Sequence, residues 1–320
     1  MTATLTPSPY TARIEPRSRF ITVRGLRYHV LEWGDAGSVT PERPPLVLLH
    51  GWMDVAASFQ FVVDALPTER YCMALDWRGF GLSDAQPATD TYWIPDYLGD
   101  LDVALHALFF DQPDAPQRID LVGHSMGGNV VMLYAGVRPE RVRRLVNLEG
   151  FGMPATTPSM APKRFVQWLE QLRTPAQLRP YPTLAAVAER LCKTNPLLRA
   201  DRAEWLAQRW SREVFAADGT STGWQIWADP AHKGMSPTLY QRDEVLACWA
   251  LITAPTLWVE GDQTDTSRWW GTRYTVAEFH ERLNTVKDVR RELLSPAGHM
   301  LHHDQPEALA RQLETFLDAA

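Results

Sequence analysis

The chain has 320 residues, 45% apolar and 22% charged, a composition that builds a globular core without covalent staples and leaves room for one large unit or two. A formal charge of −6, with Lys and Arg scattered rather than clustered, argues against nucleic acid or an anionic membrane as the main partner. No apolar stretch reaches the roughly 18 residues that a bilayer span needs, and MTATLTPSPYTARIEPRSR has no apolar signal core, so a cytoplasmic protein is expected.

Residues 1–18, rich in Thr, Pro and Arg, read as a loose tail, with order expected from about Phe20. RFITVRG and LRYHVLEWG predict a hairpin around Gly25. After the proline-rich TPERPP, LVLLHG is continuously apolar, as a central strand buried on both faces should be. Cys72 lies in the strand-like YCMALD; with Cys192 and Cys248 it lacks C-x-x-C spacing, so all three read as free thiols. A short helix is expected in ASFQFVVDAL before that strand, and the loop WRGFGLSD after it. Leu98, Leu101, Leu105, Leu108 and Phe109 recur at helical spacing and predict an amphipathic helix across IPDYLGDLDVALHALFF.

Next comes RIDLVGHSMGGNVVMLYAG, residues 118–136. Ile119, Leu121 and Val122 suit a buried strand, and Val130, Val131, Leu133 and Tyr134 suit a helix, which puts Ser125 on the turn between them. Gly123, Gly127 and Gly128 supply the lack of bulk that such a strained turn requires. The pattern is G-x-S-x-G. Three fixed positions at about 7% usage each predict about a tenth of a chance match in a chain of this length, so its surroundings must carry the weight.

Further strands are expected in VRRLVNLE, APTLWVEG and VRRELLS, and Leu309, Leu313, Phe316 and Leu317 mark a closing helix. Strands alternating with helices predict an α/β fold with a doubly wound, mostly parallel sheet, whose sites form outside the carboxyl ends of the strands. Residues 152–251 break the alternation: they hold helical patterns such as APKRFVQWLEQL, LAAVAERL and RDEVLACWALI, with no convincing central strand. This interval reads as a helical cap inserted between a first core part, 19–151, and a second, 252–320. Six tryptophans (Trp168, Trp205, Trp210, Trp224, Trp227 and Trp249) lie in it, with Trp269 and Trp270 soon after, so part of this set is expected to line an apolar or aromatic pocket.

The order LVLLHGW, ALDWRGFGLSD, LVGHSMGGNVV, LVNLEGFG, APTLWVEG and PAGHMLHHDQPE resembles the α/β-hydrolase superfamily, specifically its capped, esterase-like serine hydrolases, over residues 20–320. The resemblance implies a triad in the chain order Ser, acid, His. Ser125 matches the nucleophile and His299 the general base. For the acid, a family aspartate three residues after a glycine would fall on Thr264 of VEGDQTD; Asp262 comes earlier and Asp265 one residue later. Other members carry the acid after the strand that follows the nucleophile helix, where Glu149 stands. Asp265 is favoured, with Glu149 the close alternative. The oxyanion amides map to Met126 and Trp52, the latter in HGWMD in place of the more usual His-Gly-x-Pro. Asp76, Arg78 and Ser83 match a structural loop.

His302, His303 and Asp304 also permit reading H-x-x-H-H-D as metal ligands, but a zinc site would make the serine turn superfluous, and neither metal nor cofactor is expected. Relatives that open epoxides or remove halides use aspartate where Ser125 stands. The expected activity is hydrolysis of carboxylic esters of apolar or aromatic small molecules through an acyl enzyme. Thioesters, lactones and carbon–carbon bonds beside a carbonyl suit the same machinery, a non-catalytic receptor on this fold is the contrasting reading, and the oligomeric state is left open.

Overall fold

The computed structural model describes residues 9–111 and 116–319. Ten strands follow in chain order: β1 (Arg17–Val23), β2 (Leu26–Trp33), β3 (Leu46–Leu49), β4 (Cys72–Leu75), β5 (Ile119–His124), β6 (Val142–Leu148), β7 (Ser211–Phe215), β8 (Ser221–Ile226), β9 (Thr256–Gly261) and β10 (Val289–Leu294). Eight of them form one sheet in the order β1-β2-β4-β3-β5-β6-β9-β10. In it β2 alone runs opposite to the other seven strands. The expected hairpin around Gly25 is β1–β2, turning through Arg24 and Gly25 at positive φ.

The helices are α1 (Gln60–Ala65), α2 (Ile94–Leu105), α3 (Met126–Val137), α4 (Ala161–Arg173), α5 (Leu184–Thr194), α6 (Ala200–Trp210), α7 (Arg242–Trp249), α8 (Ser267–Trp270), α9 (Val276–Leu283), α10 (Leu301–Asp304) and α11 (Pro306–Leu317). Strands β3 and β4 are apolar throughout because both faces are covered. Val47 and Leu49 join one core with residues of α2, α3, α7 and α9, while Leu46 and Leu48 join a second with α1, α6 and α11. Among the described residues no helix is long and apolar enough to cross a membrane.

Two regions differ from expectation. Residues 9–16 are not loose: Asp64 accepts hydrogen bonds from Arg13 N at 2.8 Å, Ile14 N at 3.0 Å and the Tyr10 hydroxyl, and the Tyr10 ring packs edge-on against Phe61 and Trp205. Residues 1–8 of the expected tail lie outside the described residues. The inserted segment between β6 and β9 carries α4–α7 and also the antiparallel hairpin β7–β8, which stands apart from the main sheet. Its last helix, α7, belongs to the sheet's own helical layer, with Trp249 buried against Phe279.

Candidate active site

Ser125 sits between β5 and α3 with φ 51° and ψ −112°, a region that non-glycine residues seldom adopt. The turn is held by Ser125 N donating to Leu148 O at 2.8 Å and by Asn129 N donating to Ser125 O at 3.0 Å. Close approach explains the glycines: a Cβ on Gly127 would lie 2.2 Å from Leu49 O, and one on Gly123 2.4 Å from Gly127 O. The helix thus starts hard against the end of β3.

His299, between β10 and α10, places Nε2 3.0 Å from Ser125 Oγ. Its other nitrogen, Nδ1, lies 2.7 Å from Glu149 Oε2. The structure therefore brings Glu149 to the imidazole, and not Asp265. Asp265 lies exposed at the start of α8, where it accepts from Ser267 N and Oγ and pairs with Arg268. Asp262 accepts from Ser295 Oγ at 2.6 Å and Ala297 N at 2.9 Å, bracing the loop that leads to His299. Both carboxylates are committed to their own turns, so neither faces Nδ1.

Glu149 follows β6 with φ 55° and is 1% exposed. Its Oε1 accepts from Gly261 N at 2.7 Å, and the Thr264 hydroxyl lies 2.7 Å from Oε1 and 2.9 Å from Oε2. Burial raises its pKa, the Gly261 and Thr264 donors oppose that rise, and Glu260 adds to it. Burial likewise drives His299 below the usual histidine range, towards the neutral imidazole that a base requires. The His299 backbone is clamped as well: His124 Nε2 donates to its carbonyl at 2.8 Å. This contact was not foreseen, although His124 adjoins the serine in the sequence.

Met126 opens α3, so its amide is one of those that a helix leaves without an intrahelical acceptor. Trp52 follows Gly51, whose added Cβ would lie 3.1 Å from Ser125 Cβ, which brings this loop alongside the serine. The Trp52 indole donates to His232 O at 3.0 Å, and the residue is 52% exposed. The Trp269 ring stands edge-on to His299 at 4.6 Å. The aromatic surface nearest the imidazole thus comes from outside 152–251. Tryptophans of 152–251 are used in packing: Trp205 against Phe61, Trp249 against Phe279, and Trp210 through its indole to Met53 O at 2.8 Å. A cavity of about 280 Å³ walled by Trp168, Leu172, Asp90 and Asp229 contains none of Ser125, His299 and Glu149.

The loop of Asp76, Arg78 and Ser83 is structural. Asp76 accepts from Ala56 N, Leu82 N and His29, Arg78 pairs with buried Asp100, and Ser83 Oγ donates to Asp76 O. The histidine pair after His299 does not use Asp304, which accepts from Gly298 N. Asp54 is the carboxylate that meets His302 and His303, in a buried group of metal-ligand types. Ser58 Oγ lies within hydrogen-bond distance of all three, 2.7 Å from Asp54 Oδ2, 3.1 Å from His302 Nε2 and 2.5 Å from His303 Nε2. The hydroxyl donates to Asp54 and can accept from both Nε2–H groups, while His302 Nδ1 and His303 Nδ1 are buried without a hydrogen-bond partner among the described residues. Cys72, Cys192 and Cys248 are free, and burial pushes the Cys72 thiol up to about 12.

A family model described as the alpha/beta hydrolase fold matches residues 44–306. A serine hydrolase-like protein of Dictyostelium discoideum is 25% identical over 278 residues, 85% of this chain and 74% of that protein. Epoxide hydrolase 1 of Caenorhabditis elegans is 22% identical over 311 residues, 94% and 70% of the two chains. Among solved structures, a thioesterase domain from the curacin biosynthetic pathway superposes with a TM-score of 0.74 at 24% identity, covering 94% of this chain and all of that one. Sheet order, serine turn and family match agree: the chain belongs to the α/β-hydrolase fold family.

Proposed function

We propose that the protein is a serine hydrolase that cleaves carboxylic esters of apolar or aromatic small molecules through an acyl-enzyme intermediate. The observation that carries this reading is the unbroken series from Ser125 Oγ to His299 to Glu149, at 3.0 and 2.7 Å. His299 Nε2 takes the Ser125 proton as Oγ attacks the ester carbonyl. Glu149, the acid in this reading, steadies the imidazolium through Nδ1–H. The Trp52 and Met126 amides hold the oxyanion, His299 passes its proton to the departing alcohol, and water then releases the acid. An epoxide-opening reaction by attack of a carboxylate lacks its nucleophile, since a serine occupies the turn. The half-exposed Trp52 and the Trp269 ring beside His299 favour apolar or aromatic substrates.

The test is labelling with a fluorophosphonate, followed by a panel of aryl and alkyl esters, thioesters and lactones, on wild type and Ser125→Ala. We expect covalent label at Ser125, ester turnover above the other classes, and loss of both label and turnover in Ser125→Ala with an unchanged melting temperature. An unlabelled wild type would favour a receptor, and substantial turnover by clean Ser125→Ala would overturn the serine mechanism.

A further inference from the structure

The turn after β9 aims two donors at one buried carboxylate. Thr264 N donates to Gly261 O at 3.3 Å, closing the turn, and the same turn directs Gly261 N and the Thr264 hydroxyl at Glu149. The other ionisable groups facing Glu149 are the His299 imidazole and the carboxylates of Glu260 and Asp304, both of which oppose its negative charge. Burial in this position, 1% exposed, disfavours the ionised form of Glu149, and the Gly261 and Thr264 donors work against that. Glu149 also reaches His299 on a side chain with three rotatable bonds, so its carboxylate plane must be fixed from outside. Thr264 touches both carboxylate oxygens and supplies that restraint.

Building on the serine-hydrolase reading above, we infer that Thr264 is a positioning residue whose hydroxyl keeps Glu149 charged and aims its Oε2 at His299 Nδ1. A methyl in place of the hydroxyl preserves the shape and removes the donor. The carboxyl group then holds its proton to higher pH, and a protonated Glu149 cannot steady the imidazolium.

The experiment follows the rate of fluorophosphonate labelling at Ser125 against pH in the full chain, for wild type, Thr264→Val and Thr264→Ser, with Ser125→Ala alongside. Thr264→Val should lower the maximal labelling rate at neutral pH about tenfold, leave the half-saturating probe concentration nearly unchanged, and move the acid limb up by about one pH unit. Thr264→Ser, which keeps the hydroxyl, should restore both rate and limb. Should the valine chain not fold, Thr264→Ala carries the same expectation. A wild-type limb in Thr264→Val, or equal losses in the valine and serine variants, overturns the inference. Label on Ser125→Ala would instead overturn the underlying reading, whereas Ser125-dependent labelling that ignores Thr264 overturns this inference alone.

Discussion

Glu149 reaches the imidazole because its backbone leaves β6 at φ 55°, a conformation that costs energy and is held by Glu149 N donating to Val259 O at 3.2 Å. Replacing it with glutamine keeps the size and removes the charge that, in the proposed mechanism, holds His299 in the working tautomer. Glu149→Gln should therefore lower ester turnover by roughly 10⁴-fold at unchanged melting temperature. Asp265→Asn, on an exposed turn, should stay within about twofold of wild type. The pH profile of Glu149→Gln has a definite sign. In the proposed mechanism activity needs a neutral His299 beside a charged Glu149, and uptake of the pair's first proton sets the acid limb. Burial raises the Glu149 pKa and lowers that of His299, so once the carboxylate is gone only the lowered histidine remains. The limb should move to lower pH while the plateau falls; a limb moving to higher pH would contradict this. That Ser125 and His299 would meet was legible in the sequence because each sits in a distinctive local pattern. Which carboxylate meets His299 was not, since VEGDQTD and LVNLEG both offer carboxylates at strand ends and only the register of β6 beside β9 decides between them.

At the scale of elements, local pattern sufficed where one element meets the core with one face. The short turn at Gly25 between β1 and β2, the 3.6-residue spacing in α2 and the small residues around Ser125 all specify their own contacts. The segment before β1 does not, because its ordering depends on Asp64 at the far end of α1. That carboxylate accepts from two backbone amides, from Tyr10, and from Gln60 Nε2 at 2.9 Å. Asp64→Ala would strand those donors at the protein edge, a loss of about 2 kcal/mol. It should lower the melting temperature by a few degrees and open the bonds between residues 9 and 16 to limited proteolysis. Labelling at Ser125 should remain within about twofold, since this segment packs on α1 and Trp205 rather than on His299. A strap as resistant to protease as wild type would show that Tyr10 packing alone holds it. The hairpin β7–β8 escaped the sequence for a related reason: its strands pair with each other, and SREVF, mostly exposed, carries no clean buried alternation.

Across the whole molecule, the candidate site and the anchorage occupy opposite ends of the sheet. Ser125, Glu149 and the turn after β9 lie beyond the carboxyl ends of β5, β6 and β9, as the alternation of strands and helices implied. At the amino ends, buried Arg70 pairs with Glu314 at 3.0 Å and with Asp318, and lies 4.0 Å from Asp120, which Arg143 also holds at 2.9 Å. This network ties α11 to the strands, and Asp120 is separated from Ser125 by the length of β5, roughly 16 Å at about 3.3 Å per residue. Removing one partner of a buried ionic group leaves the others uncompensated, which costs more than the pairing itself contributes. Arg70→Met should thus destabilise the fold by about 3 kcal/mol, seen as a lower urea midpoint with an unchanged denaturant slope. The folded fraction should label at Ser125 at the wild-type rate. Glu149→Gln should behave in the opposite way, losing turnover and keeping its midpoint. If Arg70→Met slowed labelling of folded protein as much as it lowered the midpoint, the two ends of the sheet would be coupled, and the separation argued from β5 would fail.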